Sequence, residues 1–355
     1  MSVNFDKSHV AQLKELLEGA RTVALVGHLS PDGDALGSTL GFAHVLRALG
    51  KDARVFTPDE PPRYLRVLPG ARDVMAYSSF GNMASSWIHN ADAVLCMDFN
   101  ATYRVSRLQQ VIEEARGVRV LIDHHEDPDD FAALSFSFPD LSSTSELTAH
   151  LIKALGWWHI MDVQAATCLM GGIITDTGGF RYNSSQPGLY MTVADLMRFG
   201  IDKDGLMRAL VTSTSENAMR LECYALAEKM EVFEEHHAAL ITLDTNGLNQ
   251  FHYSKGDTEG LVNRPLEIPG IVYSCYLRQE PEYVKVSMRS LADFPVNALC
   301  AEHFGGGGHR NAAGGEFRGT MQECVERFKK LLPENLKLIS QAAMDAANRT
   351  LARTE

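Results

Sequence analysis

The chain has 355 residues, room for about two domains, and its balance of 45% hydrophobic to 22% charged residues permits a sizeable core. A net charge of -12 excludes a broad basic surface for duplex DNA, so an anionic substrate has to be met locally, by metals or by a few Arg and His residues. The six cysteines form no CxxC pair, the N-terminus MSVNFDKSHV has no basic-then-apolar pattern, and no apolar run approaches the roughly 18 residues of a membrane span. These features predict a cytoplasmic protein with buried thiols and no membrane partner.

In chain order, Thr22–Gly27, Ala53–Phe56, Ala93–Met97 and Val118–Ile122 read as short strands whose near-continuous apolar character fits a parallel sheet covered on both faces. Helical patterns lie between and after them, at Asp34–Leu49, Tyr103–Ala115, Thr144–Leu155 and Val163–Thr175. Ser143-Thr144-Ser145-Glu146 is a capping-box signature for the third of these. The alternation predicts an α/β fold, a doubly wound parallel sheet that binds ligands at the carboxyl ends of its strands. Gln186–Gly200 and Asp202–Val211 read as helices, and Ser215–His236, rich in Glu and Lys, as one long linking helix. Strands at Ala238–Leu243, Ile271–Leu277 and Tyr283–Met288, a glycine-rich loop at Gly305–Gly308 and a last helix at Gln322–Leu332 predict a smaller α+β domain. The expected division is 1–212, a helical linker 213–237, a second domain 238–340 and a tail 341–355.

Three of the four early strands end in acids or imidazoles. His28-Leu29-Ser30-Pro31-Asp32-Gly33-Asp34 follows the first, Asp98 the third, and Asp123-His124-His125 the fourth. Asp176 ends the apolar segment before Thr177-Gly178-Gly179. Taken singly, Asp32 and Asp34 serve equally well as turn and N-cap residues, Asp98 as a solvated strand end, Asp176 as a turn cap, and His124 and His125 as packed or exposed side chains. Taken together they put four carboxylates on one rim, a costly arrangement without cations. Two divalent ions would neutralise them, and the mixed oxygen and nitrogen donors suit Mn²⁺, Co²⁺ or Mg²⁺ better than structural zinc.

HLSPDGDALG, the lone Asp98, DHH and the TDTGGF aspartate resemble the four motifs of the DHH phosphoesterase superfamily. GGGGHRNAAGG at Gly305–Gly315 resembles the GGGH signature of its DHHA1 substrate-binding domain. The resemblance spans about residues 15 to 335 and is greatest to the nanoRNase/3′,5′-bisphosphonucleotide phosphatase subgroup. It implies a two-metal centre in which His28, Asp32 and Asp98 hold one ion and Asp34, Asp98, His124 and Asp176 the other. It also implies that Asp123 orients His124 and that His125 faces the scissile phosphate. Arg289 and His309 match positions that bind substrate phosphate in the family. Gly306, Gly307 and Gly308 let the backbone approach an anion, and Arg310 is added on its position alone.

The expected reaction is hydrolysis by water activated between two divalent ions, most simply Mn²⁺. The expected substrates are short single-stranded RNA, pApA-type dinucleotides or 3′-phosphoadenosine 5′-phosphate, gripped from the second domain across a cleft. A pyrophosphatase or exopolyphosphatase, a RecJ-like single-strand exonuclease and a nucleotide-binding regulator are the alternatives. Arg104 and Arg181 are open between phosphate contacts and surface ion pairs. Ser143, Thr144 and Ser145 are open between an anion site and simple capping. Many relatives pair, so a homodimer is compatible with the resemblance.

Overall fold

The computed structural model describes residues 3–212, 215–254 and 256–348, in two units divided between residues 213 and 214. In the first unit, six parallel strands are ordered β3-β2-β1-β4-β5-β6: β1 Thr22–Val26, β2 Asp52–Thr57, β3 Met75–Ala76, β4 Ala93–Met97, β5 Val118–Asp123 and β6 Leu134–Ser137. The helices are α1 Lys7–Gly19, α2 Gly33–Ala48, α3 Tyr77–Asn90, α4 Gln109–Glu113, α5 Thr144–Ala154, α6 Val163–Asp176, α7 Pro187–Met197 and α8 Lys203–Met207.

Side-chain alternation along the strands explains the two layers. Val23, Leu25, Leu95, Met97, Val120 and Ile122 pack with α1, α2, α5 and α6 on one face. Ala24, Val26, Val94, Cys96 and Leu121 pack with α3 and α4 on the other. Strand order reverses between β1 and β4, the switch point at which such sheets leave a crevice beyond their carboxyl ends. The doubly wound parallel sheet expected from the sequence is present, with β3 and β6 in addition. β3 is two residues long, and β6 is a short edge strand that periodicity cannot distinguish from a loop.

The helix expected over Tyr103–Ala115 begins instead as a 3₁₀ turn, Thr102–Leu108, broken at Ser106 (φ 48°); only Gln109–Glu113 is α-helical.

The second unit carries a mixed sheet ordered β11-β12-β10-β9-β8-β7, antiparallel except between β8 and β9. Its strands are β7 Met230–Phe233, β8 Ala238–Leu243, β9 Tyr273–Gln279, β10 Val284–Ser290, β11 Gly306–His309 and β12 Ala312–Phe317. Its helices are α9 Glu216–Glu228, α10 Thr245–Gln250, α11 Val296–His303, α12 Met321–Asn335 and α13 Gln341–Asn348.

Three expectations change here. The long helix over Ser215–His236 stops at Glu228, and Met230–Phe233 pairs antiparallel with β8. Its Glu and Lys residues, which suggest a linking helix, flank a partly exposed edge strand. The glycine loop is a strand, β11, because its backbone pairs with β12 without needing side chains. Residues 341–348 of the expected tail form α13, which buries Ala343 and Ala347 in the core. No described helix is long and apolar enough to cross a membrane.

Helices α2 and α6 approach closely through glycines. A methyl group on Gly37 would come within 2.6 Å of the Cys168 carbonyl oxygen and 2.7 Å of the Gly172 nitrogen, both backbone atoms that cannot swing aside. Gly37→Ala is therefore expected to destabilise the protein by about 1–3 kcal/mol through overpacking. The loss should appear as a lower urea midpoint at an unchanged m-value. An unaltered midpoint would mean the two helices are free to separate.

Candidate metal centre

The expected residues converge at the carboxyl edge of the first sheet. β1 delivers His28, β4 delivers Asp98 and β5 delivers Asp123, His124 and His125. Asp32 caps α2, its Oδ1 accepting the Asp34 and Ala35 amides at 3.0 Å each. Asp34 lies one residue inside α2, and Asp176 is the last residue of α6, so this acid comes from a helix end rather than a strand. The close packing of α2 on α6 is what lets these two carboxylates share the rim.

Donor atoms lying within 4.8 Å of one another form three overlapping groups among the described residues: His28, Asp32 and Asp98; Asp34, His124 and Asp176; and Asp98, His124 and His125. Asp98 joins the groups through different oxygens. Its Oδ2 faces His28 Nε2 at 3.5 Å, and its Oδ1 faces His124 Nε2 at 3.7 Å. Both histidines are turned by backbone carbonyls. His28 Nδ1 meets the Leu29 oxygen at 2.8 Å and His124 Nδ1 the Leu141 oxygen at 3.2 Å. A proton on each Nδ1 would leave each Nε2 to offer its lone pair to a cation held among the acids.

The electrostatics favour cations. Burial, reinforced by Asp34, pushes Asp98 well above the ordinary carboxylate range. The same causes raise Asp176 to about 8. Asp34 is raised mainly by its burial. Burial opposes protonation of His28, but hydrogen bonding to Asp32 and Asp98 outweighs it and holds that ring at about 11. Two like charges about 4 Å apart repel by about 4 kcal/mol at an effective dielectric constant near 20, so protons or metal ions must occupy such a cluster. The hard carboxylate oxygens with two imidazoles fit divalent ions of the Mn²⁺ and Mg²⁺ class.

Other expected residues are placed differently. Asp123, fully buried, does not reach His124; its Oδ1 lies 2.7 Å from His125 Nδ1. Side chains alternate from strand into loop, so the first and third residues of the DHH triplet share a side. Glu126 and Asp127 are exposed, and Asn100 Nδ2 holds their loop by donating to the Glu126 oxygen at 2.7 Å. Arg181 is exposed and Arg104 half-buried; the Arg104 backbone oxygen anchors the loop after His28 by accepting the Leu29 amide at 2.8 Å. Ser143 caps α5 by accepting the Glu146 amide, but Glu146 returns to Ser142, not to Ser143. Sequence reasoning missed Thr144 and Ser145 as neighbours of the acids: their amides donate to Asp34 at 2.6 and 2.9 Å, and the Thr144 hydroxyl donates to Asp98 at 3.0 Å. The polar run LSSTSE ahead of an apolar helix was the available signal.

In the second unit, Arg289 pairs in register with Ala312, and Ala312 with His309. Val284, Val286 and Met288 point into the core, so Arg289 and His309 project from the opposite face of the sheet. The next row on that face is Ser287, Gly314 and Gly307. Side chains on Gly306 or Gly308 would strike the paired strand, whereas one on Gly307 would meet nothing within 4 Å. Arg310 lies beyond β11, in the turn to β12, and is exposed.

Acids in this number, Asp34 and Asp98 among them buried, gathered at the switch point of a doubly wound sheet, are the equipment of a metal-dependent phosphoester hydrolase. The chain belongs to the DHH family: the model of that family's N-terminal domain matches residues 22–173, and the DHHA1 domain model matches residues 238–338. The crystal structure of an exopolyphosphatase-related protein from Bacteroides fragilis is similar at 39% identity and a TM-score of 0.93, over 95% of this chain and 99% of that one. The bifunctional oligoribonuclease and PAP phosphatase NrnA of Thermus thermophilus is 29% identical over 330 residues, 92% of this chain and 93% of its own. A probable enzyme of the same name from Streptococcus mutans is 26% identical, over 82% of this chain and 88% of its own.

Asp98→Asn separates charge from packing. Removing one buried, mutually repelling carboxylate is expected to raise the melting temperature of the chelator-treated protein or leave it unchanged. The stabilisation that Mn²⁺ gives the wild type by binding the folded state should vanish in the variant. Equal Mn²⁺ stabilisation of both proteins would remove Asp98 from the ligand set.

Proposed function

We propose that this protein hydrolyses short 5′-phosphorylated oligoribonucleotides of the pApA type and 3′-phosphoadenosine 5′-phosphate. His28, Asp32 and Asp98 would hold one divalent ion, and Asp34, Asp98, His124 and Asp176 a second, with Mn²⁺ the best fit to the donors and Mg²⁺ or Co²⁺ as substitutes. When bound, such a pair polarises the phosphoryl group and makes water a nucleophile near neutral pH. The observation that carries the reading is that the two oxygens of Asp98 face His28 and His124 separately, an arrangement in which one carboxylate can bridge two ions.

The chain's own residues do the rest. Asp123 grips His125 Nδ1 and so fixes the ring that we assign to the scissile phosphate. Arg289 offers a guanidinium for bidentate phosphate contact, with His309 across Ala312 on the same face of its sheet. Gly306–Gly308 and Arg310 belong to this phosphate-binding edge. Gly307 supports the assignment most directly, because among the described residues nothing lies within 4 Å of where its side chain would sit. Likeness to the Thermus thermophilus and Streptococcus mutans relatives points to oligoribonucleotides and 3′-phosphoadenosine 5′-phosphate as the substrate class. A second reading, cleavage of polyphosphate, is favoured by the name of the Bacteroides fragilis protein alone.

The test is product release with Mn²⁺ from pApA, 3′-phosphoadenosine 5′-phosphate, pyrophosphate and polyphosphate side by side. Turnover of the two nucleotides, abolished by Asp98→Ala, is the expected result. Turnover of the inorganic phosphates alone would replace the nucleotide reading with the second. Gly307→Ala is expected to keep the wild-type melting temperature while raising KM for the nucleotides; an unchanged KM would place the phosphate grip elsewhere.

A further inference from the structure

Leu141–Ser145 contributes no ligand to the metal centre, yet it touches three of them. The Leu141 carbonyl turns His124, the Thr144 and Ser145 amides hold both oxygens of Asp34, and the Thr144 hydroxyl holds Asp98 Oδ1. The segment is itself fixed. Ser143 accepts the Glu146 amide at 3.0 Å, and the Glu146 carboxylate accepts the Ser142 amide and hydroxyl at 2.9 and 2.8 Å. Ser142, Ser143, Thr144, Ser145 and Glu146 are all buried. Capping α5 accounts for Ser143 alone. The Thr144 hydroxyl does nothing for the helix and points away from it, to a carboxylate 46 residues distant in the chain.

We propose that Thr144 is a positioning residue of the metal centre. Its hydroxyl singles out one oxygen of Asp98, so that Oδ1 is turned toward the His124 group while Oδ2 serves His28. A carboxylate free to rotate about its χ2 bond would present both oxygens to both groups in turn. The same residue's amide, with that of Ser145, grips Asp34, so one short segment sets acids of both donor groups in fixed relation before a cation arrives. Partly charged amides at a helix N-terminus are suited to hold the anion. The proposal rests on reading the cluster as a metal centre.

The experiment is calorimetric titration of Mn²⁺ into chelator-treated wild type, Thr144→Val and Thr144→Ser, with the melting temperature of each metal-free protein. Valine keeps the shape of threonine and replaces the hydroxyl with a methyl group. The wild type is expected to take up two ions. Thr144→Val should raise the dissociation constant of at least one of them by about 10–100-fold, the usual penalty for losing a partner that orients a ligand. Thr144→Ser should restore most of the affinity. A purely structural role would lower the metal-free melting temperature of Thr144→Val and leave the affinity alone, and that result overturns the proposal. Uptake of no Mn²⁺ by the wild type would remove the metal centre and the proposal with it. Should the valine variant unfold without metal, Thr144→Ala against Thr144→Ser makes the same comparison.

Discussion

Buried negative charge governs this protein. Asp34, Asp98 and Asp176 are carried into a region where burial and mutual repulsion both oppose their ionisation. Folding alone gives no reason for such an arrangement, since an isolated charge out of water is among the most expensive things a chain can bury. Every neighbouring element is organised around that cost. Backbone amides of α5 face Asp34, a hydroxyl faces Asp98, and the imidazoles of His28 and His124 approach from two strand ends. What these contacts leave uncompensated is the demand for cations, and that demand is the function.

The fold brings the acids together by two separate means. The parallel sheet ends β1, β4 and β5 at one rim, which accounts for His28, Asp98 and the DHH triplet. Close packing of α2 on α6 accounts for Asp34 and Asp176. Gly172 shows how tight this is: a side chain there would lie 1.9 Å from the Ser145 hydroxyl and 2.7 Å from an Asp34 oxygen. A glycine in a helix usually costs stability. Here it makes the space into which a carboxylate and a helix N-terminus both fit.

Much of this was legible in the sequence, and the exceptions have physical causes. Apolar runs ending in acids marked the strands and the rim because a strand buried on both faces reads continuously apolar. Edge elements were not legible. Met230–Phe233 was absorbed into a helical pattern because an exposed edge strand carries charges as a helix does. Gly306–Gly308 read as a loop because glycine carries no side-chain periodicity. Within the site, residue types were readable but pairings were not. Asp123 meets His125 rather than its immediate neighbour, a matter of which side each residue faces. The role of Thr144 lay in a contact between distant parts of the chain, which no local capping pattern encodes.

Asp98 carries a left-handed backbone, φ 65°. Among residues with a side chain, aspartate and asparagine enter that region most readily, and a bulkier residue pays of order 1–3 kcal/mol to stay there. The position is therefore filtered twice. Cations bound as proposed would ask for a negative charge, which rejects asparagine; the backbone asks for a short polar side chain, which disfavours glutamate. Aspartate alone satisfies both, so a lineage drifting through single substitutions has no conservative step open at this residue. The peptide conformation, and not only the proposed chemistry, restricts which residue this position accepts.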